Sequence, residues 1–189
     1  MRIVIAGMKC SGKSTLARDL SERLGVPFVE SDDVAERLYR EENGEALTCR
    51  EIWQRHGEEV FRAYETRAVE VLAGLHWRIL SLGGSTFLDA RHRRMLYADS
   101  VLVWLNPSTG TLWERMEALG LPPFLREPGQ RERFERKCEL ASEVMAPLAH
   151  VMIDNTGRSR QEAASEAADR IADELHGRID RHLRSLALG

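Results

Sequence analysis

The chain predicts an α/β fold in which helices cover both faces of a parallel sheet. Three observations carry this expectation. Short apolar runs alternate with helical patterns along the 189 residues, the mark of successive βαβ units. A glycine-rich loop joins the first apolar run to the first helical pattern. No internal repeat or low-complexity linker interrupts the chain, so a single domain with a real core is expected.

Strands are expected at residues 3–6, 27–30, 78–82, 100–105 and 150–153. The first helix follows the loop through Thr15, Leu16, Ala17, Leu20 and Leu24. Thr48 and Glu51 form a capping box that starts a long helix, and Val60, Phe61, Tyr64, Ala68, Val71, Leu72 and Leu75 continue its apolar face. Ser159 and Glu162 form a second box. From there Ala163, Ala167, Ile171, Leu175, Ile179 and Leu183 trace one stripe. The opposite side carries Arg178, Arg181, His182 and Arg184, read as a solvated helix face. Residues 120–129 hold three prolines and two glycines and cannot be helix interior. Such a segment fits a lid, with the charged helix after it, 130 to about 145, moving alongside.

Composition narrows the class. The net charge of −3 gives no basic field for nucleic acid, and no apolar run reaches membrane-spanning length. The first strand begins almost at Met1, so a cytoplasmic protein without a signal peptide is expected. Cys10, Cys49 and Cys138 show no CxxC spacing, which argues against a disulfide framework or a zinc site. Cys10 lies beside a helix N-terminus that would lower its pKa, although a passive small residue is the simpler expectation.

The sharpest motif is Gly7-Met8-Lys9-Cys10-Ser11-Gly12-Lys13-Ser14, followed by Thr15. It fits the P-loop pattern G-x-x-x-x-G-K-[ST] between a strand and a helix. Glycines let backbone N–H groups turn inward on an anion, and the helix N-terminus adds partial positive charge. Lys13 is expected to reach the β- and γ-phosphates of ATP, and Ser14 to hold Mg²⁺. Lys9 is an extra charge without an assigned role.

Further groups gather at strand ends, where such sheets bind ligands. Glu30-Ser31-Asp32-Asp33 ends the second strand. One carboxylate there can position a Mg²⁺-bound water and another can accept the proton of an attacking hydroxyl, while Asp32 or Asp33 can also cap the next helix. Arg62 and Glu65 stand at i,i+3. They form either a fixed guanidinium fork for a carboxylate or a surface ion pair worth under about 1 kcal/mol. Gly83-Gly84 allows close backbone approach by a ligand or makes a tight turn.

In order, the P-loop, E-S-D-D, G-E-x-x-F-R-x-x-E and L-G-G-S resemble the shikimate kinases, from Met1 to about Ala172. The resemblance implies a P-loop three-layer α/β/α fold with five parallel strands in the order 2-3-1-4-5. It implies transfer of the γ-phosphoryl of ATP to the 3-hydroxyl of shikimate, with Mg²⁺, in aromatic amino acid biosynthesis. Residues 1–172 would form the kinase domain, with a lid at about 120–146, and 173–189 a C-terminal helical extension.

By position, Lys13 and Ser14 match the phosphate and Mg²⁺ residues, and Glu30 replaces an aspartate of the metal shell. Asp32 matches the carboxylate that grips the substrate hydroxyls. Arg62 matches an arginine that binds the substrate carboxylate, oriented by Glu65. Gly83 and Gly84 match pocket glycines, and Ser85 replaces a third. Arg115 matches a position near the adenine.

Two departures stand out. The R-P-L-L lid arginine is missing from the 121–125 stretch, which leaves Arg126 just beyond as its substitute. The arginine of R-x-P-L-Y falls near Ala141-Ser142-Glu143-Val144 and is absent, which leaves Arg133, Arg136 or Lys137 to compensate. The expected enzyme acts as a monomer on a small hydroxy acid, without nucleic-acid or membrane partners. Two rivals stay open: a kinase of another acid such as gluconate, and a regulatory module that binds ATP without catalysis.

Overall fold

The computed structural model describes residues 1–121 and 129–187. Five strands, β1 (Arg2–Gly7), β2 (Phe28–Glu30), β3 (Ile79–Ser81), β4 (Ser100–Leu105) and β5 (Val151–Ile153), form one parallel sheet in the order β2-β3-β1-β4-β5. The helices are α1 (Lys13–Leu24), α2 (Ser31–Asn43), α3 (Cys49–Ala73), α4 (Ala90–Leu96), α5 (Thr109–Ala118), α6 (Gln130–Met145) and α7 (Arg160–Ala187), with a 3-10 turn at Thr86–Leu88. Strand positions and order agree with the sequence expectation.

Strand periodicity divides the core into two layers. Ile3 and Ile5 of β1, with Val101, Val103 and Leu105 of β4, face α1 and α7 through Leu16, Leu20, Ala163, Ala167 and Ile171. Val4 and Ala6, with Leu102 and Trp104, face the opposite layer, where Ala68, Leu72, Leu112, Met116 and Phe134 pack. Each large side chain so buried contributes roughly 1.5–3 kcal/mol. A third cluster of Tyr39, Leu47 and Ile52 joins α2 to α3.

Both capping boxes form as read. Thr48 N–H donates to Glu51 at 2.8 Å and Glu51 N–H donates to the Thr48 hydroxyl at 3.3 Å. Ser159 and Glu162 make the same exchange at 2.9 and 3.2 Å. Neither Asp32 nor Asp33 caps α2. Glu30 holds the N-cap position, and both aspartates lie in the first turn, where their charge suits the helix dipole.

Two expectations are corrected. The helix from the first box is not continuous: Gly57 has φ 86° and ψ 174°, which breaks α3 into two stretches at a bend. The α7 stripe outlasts the body it packs on. Ala163, Ala167 and Ile171 are buried, whereas Ile179 and Leu183 are 54% and 58% exposed. Arg178 and Arg181 there pair with Glu174 of the same helix.

The Gly57 conformation belongs to a region open essentially to glycine, and nothing lies within 4 Å of a Cβ built there. Backbone strain is therefore the whole penalty for a side chain. Gly57→Ala should lower unfolding stability by about 1–3 kcal/mol, read as a lower denaturation midpoint with an unchanged m-value. An unchanged midpoint would show that the bend does not need this conformation.

Candidate active site

The phosphate loop leaves the carboxyl end of β1 between β3 and β4. A Cβ on Gly7 would stand 2.6 Å from Ser11 Oγ and 2.7 Å from the Leu105 carbonyl, so only glycine fits. Gly12 (φ 97°) turns the chain into α1, and Cys10 (φ 65°) is a rare non-glycine residue in the left-handed region. Ser11 N–H closes the loop on the Met8 carbonyl at 3.1 Å. Lys13 folds back over the loop and donates to the same carbonyl at 3.1 Å. Burial lowers its pKa from 10.5 to about 8, against the opposing pull of Asp32 and Glu30. Burial also raises the Cys10 thiol, outweighing Lys9, Lys13 and Arg115. The lowering expected from the helix N-terminus is thus overturned.

Beside the lysine, Ser14 Oγ donates to Glu30 Oε2 at 2.9 Å. Two hard oxygen donors therefore meet where the first and second strands end. Among the described residues no group of three or more His, Cys, Asp and Glu could form an all-protein metal cage. Magnesium needs no such cage, because it keeps waters and phosphate oxygens and takes one or two protein ligands. Ser14 and Glu30 fit that role.

Asp32 is fixed by the next strand along. Ser31 Oγ accepts from Gly83 N–H at 2.8 Å and donates to Asp32 Oδ1 at 3.2 Å. A Cβ on Gly83 would fall 3.1 Å from Asp32 Oδ1 and 3.6 Å from Glu65 Oε1, so two carboxylates flank this glycine. Burial raises the Asp32 pKa; the Ser31 hydrogen bond and Lys13 oppose that rise, and Glu65 adds to it. Gly84 presses on the phosphate loop itself, since its Cβ would stand 3.0 Å from Lys9 N.

Glu65, 7% exposed, accepts from Thr86 Oγ1 at 2.6 Å and from Arg62 Nη1 at 2.7 Å. Arg62 Nη1 also reaches Ser85 Oγ at 3.3 Å, and its Nε–Nη2 edge meets the exposed Glu58 carboxylate at 3.3 Å. Both N–H groups of that edge converge on one oxygen, Glu58 Oε1, so the guanidinium edge is already turned to a carboxylate.

These pieces surround a cavity of about 620 Å³. Met8, Lys9, Cys10, Lys13 and Ser14 line one wall, Glu30 and Asp32 another, and Gly83, Gly84 and Ser85 a third. Arg62 stands at the border through Ser85. Arg115 lies behind the loop. It donates to the Cys10 and Ser11 carbonyls at 3.4 and 3.3 Å and to the Asn155 carbonyl at 3.2 Å. With Gly12, Thr15 and Asn155 it lines a second cavity of about 280 Å³. Arg126 lies outside the described residues. Of the three α6 candidates, Arg133 and Lys137 line the main cavity, and Arg136 does not.

The sequence missed Asn155, whose Nδ2 donates to the Ser11 carbonyl at 2.9 Å. A polar side chain just past a strand's carboxyl end was the available signal. It also missed Cys49, Arg50 and Trp53, which reach the cavity from α3.

A shikimate kinase family model matches residues 9–172. A shikimate kinase of Rhizobium leguminosarum is 33% identical over 133 residues, 70% of this chain but 65% of that protein, just under two thirds of its length. One from Symbiobacterium thermophilum is 31% identical over 175 residues, 92% of this chain and 97% of that protein. Among solved structures, the Acinetobacter baumannii shikimate kinase in complex with shikimate is similar with a TM-score of 0.76. Its identity is 25%, covering 94% of this chain and 93% of that one. A Sinorhizobium meliloti gluconokinase shares the fold at TM-score 0.59 and 21% identity, over 95% and 96%.

The lowered lysine pKa predicts a pH signature of stability. Between about pH 8 and 10.5 the unfolded chain holds a proton on Lys13 that the folded chain has released, so stability rises with pH across this window. The gain is at most about 3 kcal/mol. Subtracting the denaturation profile of Lys13→Met from that of the wild type should isolate this rise. A flat difference would show that Lys13 ionises normally.

Proposed function

The chain belongs to the shikimate kinase family, and from that premise we propose that it transfers the γ-phosphoryl of ATP to a hydroxyl of shikimate, giving shikimate 3-phosphate. The observation carrying this reading is one cavity in which the phosphate loop with Lys13 faces Asp32 and the Arg62–Ser85 border. A phosphate donor, a hydroxyl acceptor and a carboxylate anchor each have a matching wall.

The loop's inward backbone N–H groups and Lys13 hold the β- and γ-phosphates. Lys13 exchanges its bond to the Met8 carbonyl for a phosphate oxygen, which favours its charged form. Ser14 and Glu30 would hold Mg²⁺, which would supply neutralisation of charge on the transferring group. Asp32 aligns the acceptor hydroxyl and accepts its proton, and its raised pKa makes it a better base than an exposed aspartate. Arg62 binds the acceptor carboxylate on its Nε–Nη2 edge, displacing Glu58. Glu65 and Ser85 keep the guanidinium in place, so the hydroxyl meets the phosphate in line. Arg115 and Asn155 brace the loop from behind and border the nucleotide's other cavity. Residues 1–172 act as the kinase domain, and the rest of α7 extends it.

ADP release from Mg-ATP should depend on shikimate, with the product identified by mass. Turnover on gluconate but not shikimate would reassign the acceptor, and ATP binding with no turnover on either would favour a regulatory module. Lys13→Ala should cut kcat by about a hundredfold or more. Arg62→Ala should raise KM for shikimate about tenfold to a hundredfold while ATP affinity changes little. Equal losses for both substrates would move Arg62 out of the acceptor site.

Asp32 predicts the acid limb of kcat/KM. The carboxylate accepts a proton only when ionised, so activity falls as pH drops through its raised pKa, at higher pH than for an ordinary aspartate. Asp32→Asn should abolish this limb along with most activity. A limb at the ordinary aspartate value would contradict the assignment.

A further inference from the structure

His92 of α4 is 2% exposed, and its ring has a hydrogen-bond partner at each nitrogen. Nδ1 stands 2.9 Å from the Thr86 carbonyl oxygen and Nε2 stands 3.0 Å from Thr66 Oγ1. A carbonyl oxygen only accepts, so Nδ1 carries the proton and donates. In the neutral ring Nε2 then accepts from the Thr66 hydroxyl. One imidazole therefore ties the 3-10 turn Thr86–Leu88 to α3.

Both ends of this tie lead to the candidate site. Thr66 follows Glu65 in α3, the helix that also carries Arg62. Thr86, 1% exposed, donates its hydroxyl to Glu65 Oε1 at 2.6 Å, and Glu65 Oε2 accepts from Arg62 at 2.7 Å. Arg62 also donates to Ser85, the residue before the turn, at 3.3 Å. Thr86 N–H donates to the Gly83 carbonyl at 3.2 Å, so the turn closes on the glycine loop that lines the main cavity.

The two bonds of the ring differ in what depends on them. A helical threonine has a second acceptor within reach, the carbonyl one turn earlier, so Thr66 can do without the ring. A carbonyl in a short turn cannot swivel to a new donor unless the turn moves. An apolar side chain at position 92 would fill the space and leave the Thr86 carbonyl without this donor. Arg93, next along α4, holds the rest of the turn at the Phe87 and Leu88 carbonyls, at 3.1 and 2.5 Å. His92 holds the residue that supports Glu65.

We propose that His92 is a positioning residue for the acceptor. It locks Thr86 against α3, so that Glu65 presents the Arg62 guanidinium to the acceptor carboxylate at one angle. This rests on the acceptor-acid reading above. His92 lines neither the main cavity nor the one behind the phosphate loop, so its effect on the acceptor runs through Arg62.

The test is steady-state kinetics on wild type, His92→Asn, His92→Gln and His92→Leu. The asparagine amide places a donor where Nδ1–H stands, the glutamine amide reaches toward the Nε2 side, and leucine keeps neither. His92→Leu and His92→Gln should raise KM for shikimate about tenfold, with KM for ATP within about threefold of wild type. His92→Asn should keep KM for shikimate within about threefold of wild type. In an Arg62→Ala background, His92→Leu should add no further loss, because the residue it acts through is gone. A merely structural histidine would lower kcat through lost folded enzyme and leave KM where it was. An unchanged KM in His92→Leu and His92→Gln, equal rises for both substrates, no rescue by asparagine, or a full additional loss in the Arg62→Ala background would each overturn the proposal. If His92→Leu melts early, His92→Gln takes its place in both comparisons. The Arg62 Nε–H signal in NMR gives a readout that needs no acceptor. Guanidinium rotation should be slow in wild type and His92→Asn and fast in His92→Gln. If wild type neither binds nor phosphorylates shikimate, the acceptor reading fails by itself. The positioning of Arg62 by His92 then stands if the NMR signal follows this pattern, and falls otherwise.

Discussion

β1 is buried on both faces and paired on both edges, and the cleft depends on that placement. Its register sets Ile5 beside Ser81 of β3 and Gly7 beside Leu105 of β4. The carboxyl ends of three strands therefore arrive together. The phosphate loop has to turn in the gap between them, where a Cβ at Gly7 would collide with the Leu105 carbonyl. Glycine at this point is a packing requirement before it is a ligand requirement. Gly84 repeats the logic just after β3 and lets the loop there touch the Lys9 backbone.

The electrostatics follow from this crowding. Lys13, Asp32 and Glu65 are brought into a poorly hydrated space, where an unpaired charge is costly. Two opposite responses appear. Glu65 is fully paired, with Arg62 on one oxygen and Thr86 on the other, and serves as a fixed support. Lys13 and Asp32 are incompletely paired, and burial pushes the pKa of each toward its neutral form. Groups left in that state gain most when a charged or proton-donating substrate arrives. Glu65 is satisfied and Lys13 and Asp32 are not, a difference that residue type alone does not give.

The sheet and the phosphate loop were legible because each rests on a short local pattern: an apolar run, a strand-loop-helix junction, or a capping box three residues long. The order 2-3-1-4-5 came with the family resemblance and not with periodicity. The bend at Gly57 was not legible, because a glycine inside a helical pattern is usually tolerated in place. Ile179 and Leu183 kept the helical period but ran past the sheet that buries Ile171. Periodicity reports which side of a helix is apolar and says nothing about where its partner ends. Arg62 and Glu65 read locally as a surface pair. Their value comes from Ser85 and Thr86, more than twenty residues away, which no local pattern contains. Asn155 was missed for the same reason: its partner, the Ser11 carbonyl, lies 144 positions earlier.

Charge distribution adds a last step. Acidic residues outnumber basic ones only by 30 to 27 overall, yet among the described residues the cavity lining collects five cations against two carboxylates. A cleft of one sign in a chain of the other attracts anions locally without attracting polyanions globally. What matters to an anion is the field at the cavity wall, and a helix can supply it from any residue on the face that reaches that wall. A turn of the helix moves a side chain about 5.4 Å, a distance that long arginine and lysine side chains can span. The position of a binding cation along α6 is therefore loosely constrained, whereas the glycines that shape the loop are not.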